Sequence, residues 1–271
     1  MRLDHCVLTG AGSGLGRALA LRLARPGATL LLADLRLDTC EETARLCEAR
    51  GAVAHARAVD VADAARVEAL AQEADRLLGR IDLVVNNAGV AVAGAVGEVP
   101  LEDWRWIVGV NLFGVVHGCH VFAPRLAAQG SGAILNTASM AGLVSVPLMS
   151  AYNATKAGVV ALSETLAAEL RSKGVRVTVL CPSFFDTNLL DTGRSTAPEL
   201  LDAARRAFER APLSADDVAV AALDAIERDR LYCLPMRDGR FAWRFKRVLP
   251  ERFARILGSE RLRERVTRRA R

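Results

Sequence analysis

Short apolar runs alternate with longer segments in which apolar residues recur at helical spacing. HCVLTG (5–10), ATLLLAD (28–34), AVAHARAVD (52–60) and IDLVVNNAG (81–89) read as strands. GRALALRLARPG (16–27), CEETARLCEARG (40–51) and DAARVEALAQEADRLLG (63–79) read as the helices between them. The segment 101–129 reads as one long helix, 132–139 as a strand, about 150–173 as a helix and 175–182 as a strand. After Pro182 the pattern loosens, then resumes with a helix over 215–229 and a short strand over 231–235. Strands that alternate with helices build βαβ units and a parallel sheet. With no internal repeat and no low-complexity linker before the tail, one continuous doubly wound domain fits the 271 residues better than two.

Composition changes this picture little. Half of the residues (51%) are apolar, enough for a sizeable core. No run approaches the ~20 apolar residues of a membrane span. The first apolar strand begins almost at once, so no secretory signal is expected. Six scattered cysteines without a CxxC pair point to reduced thiols in a cytoplasmic protein. Charge is more informative. Residues 228–271 hold 15 Arg and Lys against 5 Asp and Glu, a net +10, so the rest of the chain carries −5.

Three stretches carry candidate chemistry. TGAGSGLG (9–16) stands directly after the first strand and before the first helix. Glycines there allow a tight turn and close approach to a pyrophosphate, which the helix N-terminus would hold. Asp34, at the end of the second strand, could accept hydrogen bonds from an adenosine ribose. Without a ligand, the same stretch is simply a glycine-rich turn. NNAG (86–89) ends the fourth strand, where ligands bind in such sheets, though alone it is also a good turn. In SAYNATKAG (150–158), Tyr152 and Lys156 are i, i+4 neighbours. An ammonium about 4 Å from a phenolate at an effective dielectric of ~20 contributes roughly 4 kcal/mol, enough to bring the phenol pKa near neutral. Tyr152 could then move a proton, and Ser139, 13 residues earlier, could hold the substrate oxygen. A half-buried tyrosine beside an unrelated lysine is the alternative.

Taken in order on one βαβ frame, TGxxxGxG, Asp34, Asp60-Val61, NNAG, Asn111, Ser139 and YNATK resemble the classical short-chain dehydrogenases/reductases along most of residues 3–235. The resemblance implies a seven-stranded parallel Rossmann sheet in a three-layer α/β/α domain, and a nicotinamide cofactor. It implies that Tyr152 is the general acid/base and that Lys156 lowers its pKa and holds the nicotinamide ribose. Ser139 would fix the carbonyl or alcohol oxygen, and Asn111 would anchor a water in the proton relay. Gly10, Ser13, Gly14, Leu15 and Gly16 match the pyrophosphate turn. Asp60 and Val61 match the adenine pocket, and Asn87, Ala88 and Gly89 the strand-four cofactor contacts. Phe185 and Thr187 belong to the segment beside the nicotinamide, where Thr187 matches the residue that meets the carboxamide. Tyr152 and Lys156 would also touch the cofactor.

The chain departs from the family in having Pro182-Ser183 where Pro-Gly is usual, which narrows the space beside the nicotinamide. It has Ser13 and Leu35 where NADP-preferring members often carry a basic residue. Asp34 would repel a 2′-phosphate, so NAD(H) is the expected cofactor, with NADP(H) kept open by Arg36.

The walls expected around the nicotinamide, 140–152 and 183–190, contain no Arg or Lys. An anionic substrate ordinarily needs a cationic partner, so an apolar secondary alcohol or its ketone is favoured. Other readings are an NADPH-dependent carbonyl reductase and a cofactor-binding sensor or scaffold. His117 and His120 lack a third ligand at helical spacing, so no metal site is expected. Trp104 and Trp106 read as packing or interface residues, and the resemblance implies a homodimer or homotetramer. The division expected is a catalytic domain over 1–238 and a basic amphipathic helical extension over 239–271. Packing of that extension over the cleft or on a neighbouring subunit is read ahead of peripheral membrane contact. A nucleic-acid-binding arm has only charge in its favour.

Overall fold

The computed structural model describes residues 2–185, 188–191, 193–196 and 198–259. Strands β1 (His5–Thr9), β2 (Thr29–Asp34), β3 (Val53–Ala58) and β4 (Leu83–Asn86) alternate with helices α1 (Gly14–Leu23), α2 (Leu37–Glu48) and α3 (Ala64–Leu78). After the short strand β5 (Val92–Ala93) come α4 (Leu101–Val108), a π-helical turn (Gly109–Phe113) and α5 (Gly114–Gln129). Then follow β6 (Gly132–Thr137), α6 (Met140–Val144), α7 (Ser150–Leu170) and β7 (Val175–Leu180). The chain continues through β8 (Arg194–Ser195), α8 (Pro198–Glu209), α9 (Ala215–Glu227), β9 (Tyr232–Cys233), α10 (Arg237–Val248) and α11 (Pro250–Leu257).

Seven strands pair in the order β3-β2-β1-β4-β6-β7-β9, all parallel. In the middle of the sheet Val7 pairs with Leu31 on one side and Val84 on the other. Every residue of β4 and β6 is buried, as strands covered on both faces must be. One face packs Val67, Phe122, Leu126 and Val159 from α3, α5 and α7. The other packs Leu15, Leu19, Cys47 and Val218 from α1, α2 and α9. The expected three-layer architecture results. The strand order reverses between β1 and β4, which opens a crevice at the C-terminal strand ends.

Several elements differ from expectation. The helix expected over 101–129 contains the π turn at Gly109–Phe113. By length and composition Leu101–Gln129 is, among the described residues, the one helix that could cross a bilayer, contrary to the expectation that no run comes close. Its Val115, Phe122 and Leu126 instead lie in the core. The loosely patterned region after Pro182 holds α8 and the strand β8, which pairs with β5 apart from the main sheet. The expected boundary at 238/239 falls inside α10, which begins at Arg237. Phe253 of α11 is buried, and Trp243 and Phe245 of α10 pack against the same core. All six cysteines are buried and unpaired.

Candidate active site

The glycine turn is shaped by backbone conformations that side chains disfavour: φ is +62° at Gly10 and +48° at Gly14. It ends at α1, whose first N–H groups have no intrahelical acceptor, and the Ser13 side chain caps none of them. Leu15 and Gly16 are buried beneath the turn. Asp34 closes it from the side. Its carboxylate accepts from the Gly12 N–H at 2.8 Å and the Arg36 N–H at 3.1 Å. Arg36 itself stands exposed at the start of α2. These features fit a dinucleotide: a close-approach turn, a helix end with free donors, and a carboxylate beside them.

Asn87, Ala88 and Gly89 follow β4 and lie against that turn. The Asn87 side chain donates to the carbonyls of Thr9 and Gly10 at 3.3 and 3.2 Å and accepts from the Thr137 hydroxyl at 3.3 Å. Thr9 Oγ1 in turn accepts from the Asn87 and Ala88 N–H groups. Asn87 therefore ties β1, β4 and β6 together, a role beyond the cofactor contact expected for it. Asp60 and Val61 follow β3. The Asp60 carboxylate accepts from the Ala62 N–H at 2.9 Å, and the Val61 carbonyl lies 2.9 Å from His117 Nδ1.

The catalytic candidates converge at the ends of β4 and β6. Ser139 follows β6 and caps α6, its hydroxyl oxygen accepting from the Ala141 N–H at 3.1 Å. Tyr152 and Lys156 lie on the inner face of α7, both buried. Lys156 Nζ donates to the Thr137 carbonyl at 2.8 Å and stands 5.8 Å from the Tyr152 ring centroid. Asn111 sits within the π turn, wholly buried. Its amide pairs with both backbone groups of Val90: Nδ2 donates at 2.9 Å and Oδ1 accepts at 2.8 Å. A π turn re-aims a helical side chain and is frequent at functional sites. Here it brings Asn111 next to Gly89, which lies beside Lys156 as well.

The electrostatics correct one expectation. Burial pushes the Tyr152 phenol up to about 12, with only the Ser139 hydroxyl pulling the other way. Burial likewise pulls the Lys156 ammonium down to about 8. The expected fall of the tyrosine toward neutrality assumed a charge at close range in a partly wet site. In this dry site desolvation of the phenolate dominates, and Lys156, 5.8 Å from the ring centroid and held by Thr137, is not among the groups that pull the phenol down.

Ser139 and Tyr152 form one wall of a cavity of about 480 Å³. Met140, Val144, Leu148, Met149, Phe185 and Leu190 line much of the rest, as expected for an apolar substrate. Phe185 thus lies on the substrate side, whereas Thr187 lies outside the described residues. Asp238 of α10 is the one charged residue on the lining among the described residues. It was not expected, because its segment read as the end of the catalytic domain. Sequence reasoning also passed over Thr137, the lysine's anchor, and a buried ladder from Asn86 through Asn136 to Ser163, at 2.9 and 3.0 Å. An asparagine directly after the apolar residues of GAILNT was the available signal. Among the described residues no cluster of His, Cys, Asp or Glu could hold a metal ion.

A profile of the short chain dehydrogenase family matches residues 4–198. The "Probable oxidoreductase EphD" of Mycobacterium tuberculosis is 37% identical over 253 residues, 90% of this chain. The chain spans only 43% of that protein's length. The 1-deoxy-11-beta-hydroxypentalenate dehydrogenase of Streptomyces exfoliatus is 40% identical over 243 residues, 88% of this chain and 85% of that one. A crystal structure of a short chain dehydrogenase/reductase from Burkholderia phymatum in complex with NAD superposes with a TM-score of 0.84. It shares 38% identity and covers 91% of this chain and 94% of its own.

Proposed function

The chain belongs to the short-chain dehydrogenase/reductase family, and we propose that it is an NAD(H)-dependent dehydrogenase or ketoreductase for a hydrophobic secondary alcohol or its ketone. The observation that carries this reading is the placement of Ser139 and Tyr152 on the wall of an apolar cavity, with Lys156 buried behind them. The glycine turn, the α1 N-terminus and Asp34 would hold the dinucleotide, whose nicotinamide supplies the hydride acceptor or donor. Ser139 holds the substrate oxygen. In oxidation Tyr152 takes the hydroxyl proton as the carbinol carbon gives up its hydride; in reduction it returns the proton to the carbonyl oxygen. Lys156, fixed to Thr137, would hold the nicotinamide ribose and keeps positive charge behind the phenol. Asn111, its amide paired with both backbone groups of Val90, would anchor a water in the proton relay.

NAD(H) is supported by the Asp34 carboxylate, which a 2′-phosphate would meet, and by the NAD complex of the Burkholderia protein. The exposed Arg36 is the observation in favour of NADP(H) and a carbonyl reductase. A sensor or scaffold has no need of Asn111, Ser139, Tyr152 and Lys156 together. The Streptomyces relative, named as the dehydrogenase of a hydroxylated compound, supports an alcohol substrate. A homodimer or homotetramer remains the expected assembly. The test is a panel of apolar secondary alcohols and ketones assayed by reduced-nicotinamide absorbance with both cofactors. Tyr152→Phe should lower turnover by about 10²–10⁴-fold. Near-normal turnover of that variant, or no activity of the wild type across the panel, would overturn the reading.

A further inference from the structure

Helix α10 has two unlike sides. Gly239 is buried against Met140, Ala242 and Trp243 pack on the core, and Lys246 donates to the Leu143 carbonyl at 2.8 Å. The opposite side is apolar yet uncovered. Phe241 and Val248 are 73% and 75% exposed, and at about 100° per residue they lie within roughly 20° of each other around the helix. Phe245 stacks nearly parallel to Phe241, with ring centroids 6.3 Å apart. The chain just beyond is also partly bare, with Leu249 at 37% and Ile256 at 52% exposure.

Arginines border this stripe. Arg237, Arg240, Arg244 and Arg247 fall on the adjoining strip, roughly 40–120° from Phe241 on the same side. Among the described residues, Arg237, Arg240, Arg244 and Arg252 enter no salt bridge. From 237 to 257 there are seven basic residues and two acidic ones. A second copy of this chain would bring the same positive strip to the contact and be repelled. A surface of phosphates over hydrocarbon matches both parts: guanidinium groups pair with phosphate oxygens, and the aromatic and aliphatic side chains enter the acyl boundary.

We propose that α10 lies flat on an anionic phospholipid bilayer, with Phe241 and Val248 in the acyl boundary and Arg237, Arg240 and Arg244 on the phosphates. The opposite side of the same helix lines the apolar cavity through Gly239 and Ala242, so the lipid surface lies next to the cavity wall.

Co-sedimentation of the full-length protein with vesicles tests this directly, independently of any turnover. Phosphatidylcholine vesicles containing phosphatidylglycerol should pellet the protein at low salt, and phosphatidylcholine alone should not. Each of Arg240→Gln and Arg244→Gln should weaken binding by about fivefold. The double variant Phe241→Ser, Val248→Ser should weaken it by on the order of tenfold or more, with an unchanged melting temperature and unchanged turnover of a water-soluble alcohol. Protein that stays in the supernatant with the mixed vesicles overturns the proposal. So does vesicle binding that survives the double variant but vanishes on removal of residues 260–271. Dissociation of an oligomer by the double variant, with no vesicle binding by the wild type, would assign the face to a second copy instead.

Discussion

Lys156 follows Tyr152 by one turn of α7, yet its ammonium group donates to the Thr137 carbonyl at 2.8 Å and lies 5.8 Å from the tyrosine ring centroid. The lysine is thereby anchored to the end of β6, the strand that also presents Ser139. One hydrogen bond registers the helix bearing the phenol against the strand bearing the hydroxyl. Its loss by Lys156→Met would free the Thr137 carbonyl and remove the charge behind the phenol together.

The titration of this pair sets the pH dependence in each direction. With its pKa at about 12, Tyr152 keeps its proton through the neutral range. It is then ready to donate to a ketone but must lose that proton to accept one from an alcohol. Lys156, at about 8, loses its charge above that pH. The kcat/KM for alcohol oxidation should rise with pH through the alkaline range. Ketone reduction should stay level from neutrality to about 8 and fall beyond it, as the lysine and then the tyrosine give up protons. Steady-state profiles in both directions check this, and oxidation that slows as pH rises would contradict it.

Gly142 governs how closely α6 approaches α7. A Cβ at this position would lie 2.6 Å from the backbone carbon and oxygen of Lys156 and 2.8 Å from the Ala157 nitrogen. Backbone in mid-helix cannot give way, so Gly142→Ala must push α6, and Ser139 at its cap, away from Tyr152. Overpacking of this kind costs about 1–3 kcal/mol. Misplacement of a catalytic group by about 1 Å costs roughly 10²-fold in rate. Thermal unfolding and single-turnover rates measured together should show both losses, with cofactor affinity changed much less. A variant with wild-type turnover would mean that Ser139 needs no such placement.

Asp34 should govern cofactor choice through both charge and structure. Its carboxylate accepts from the N–H groups of Gly12 and Arg36, so it also braces the glycine turn. Asp34→Ala should weaken NAD(H) binding by roughly tenfold, the worth of a hydrogen bond to a charged group. It should also relax discrimination against NADP(H), since the repelling charge is gone. Adding Arg36→Ala should then weaken NADP(H) selectively. Dissociation constants by fluorescence titration decide the matter, and a wild type that binds NADPH more tightly than NADH would refute this role for Asp34.

The parts of the site readable from sequence are those with a periodic or spaced signal. Seven strands, the glycine turn and the Tyr152–Lys156 pair all have one. The π turn at Asn111 does not, because one widened turn barely alters the apolar spacing of a long helix. Strands β5 and β8 are two residues each and pair with each other outside the main sheet, so no strand–helix alternation marks them. The partner of Lys156 is a backbone carbonyl, which any residue at 137 would offer. The pKa of Tyr152 depends on how dry its surroundings are, a property of the packed fold rather than of the interval to Lys156.

Asp238 escaped notice for a related reason: only the packing of α10 over the cleft brings it to the cavity, whose lining is otherwise uncharged among the described residues. One oxygen of its carboxylate already accepts from the Gly239 N–H at 2.7 Å, which holds the group at the start of the helix. A negative charge on the lining of an otherwise apolar cavity repels carboxylated substrates, with no cation among the described lining residues to compensate. Asp238→Asn keeps the size and the acceptor to Gly239 while removing the charge. It should raise kcat/KM for an alcohol bearing a carboxylate several-fold at low salt and leave its uncharged analogue nearly unchanged. Because Asp238 is exposed, the difference should shrink as ionic strength rises. Competition assays with the paired substrates at low and high salt would show it. Equal effects on both substrates would assign Asp238 to holding α10 in place rather than to selecting what enters.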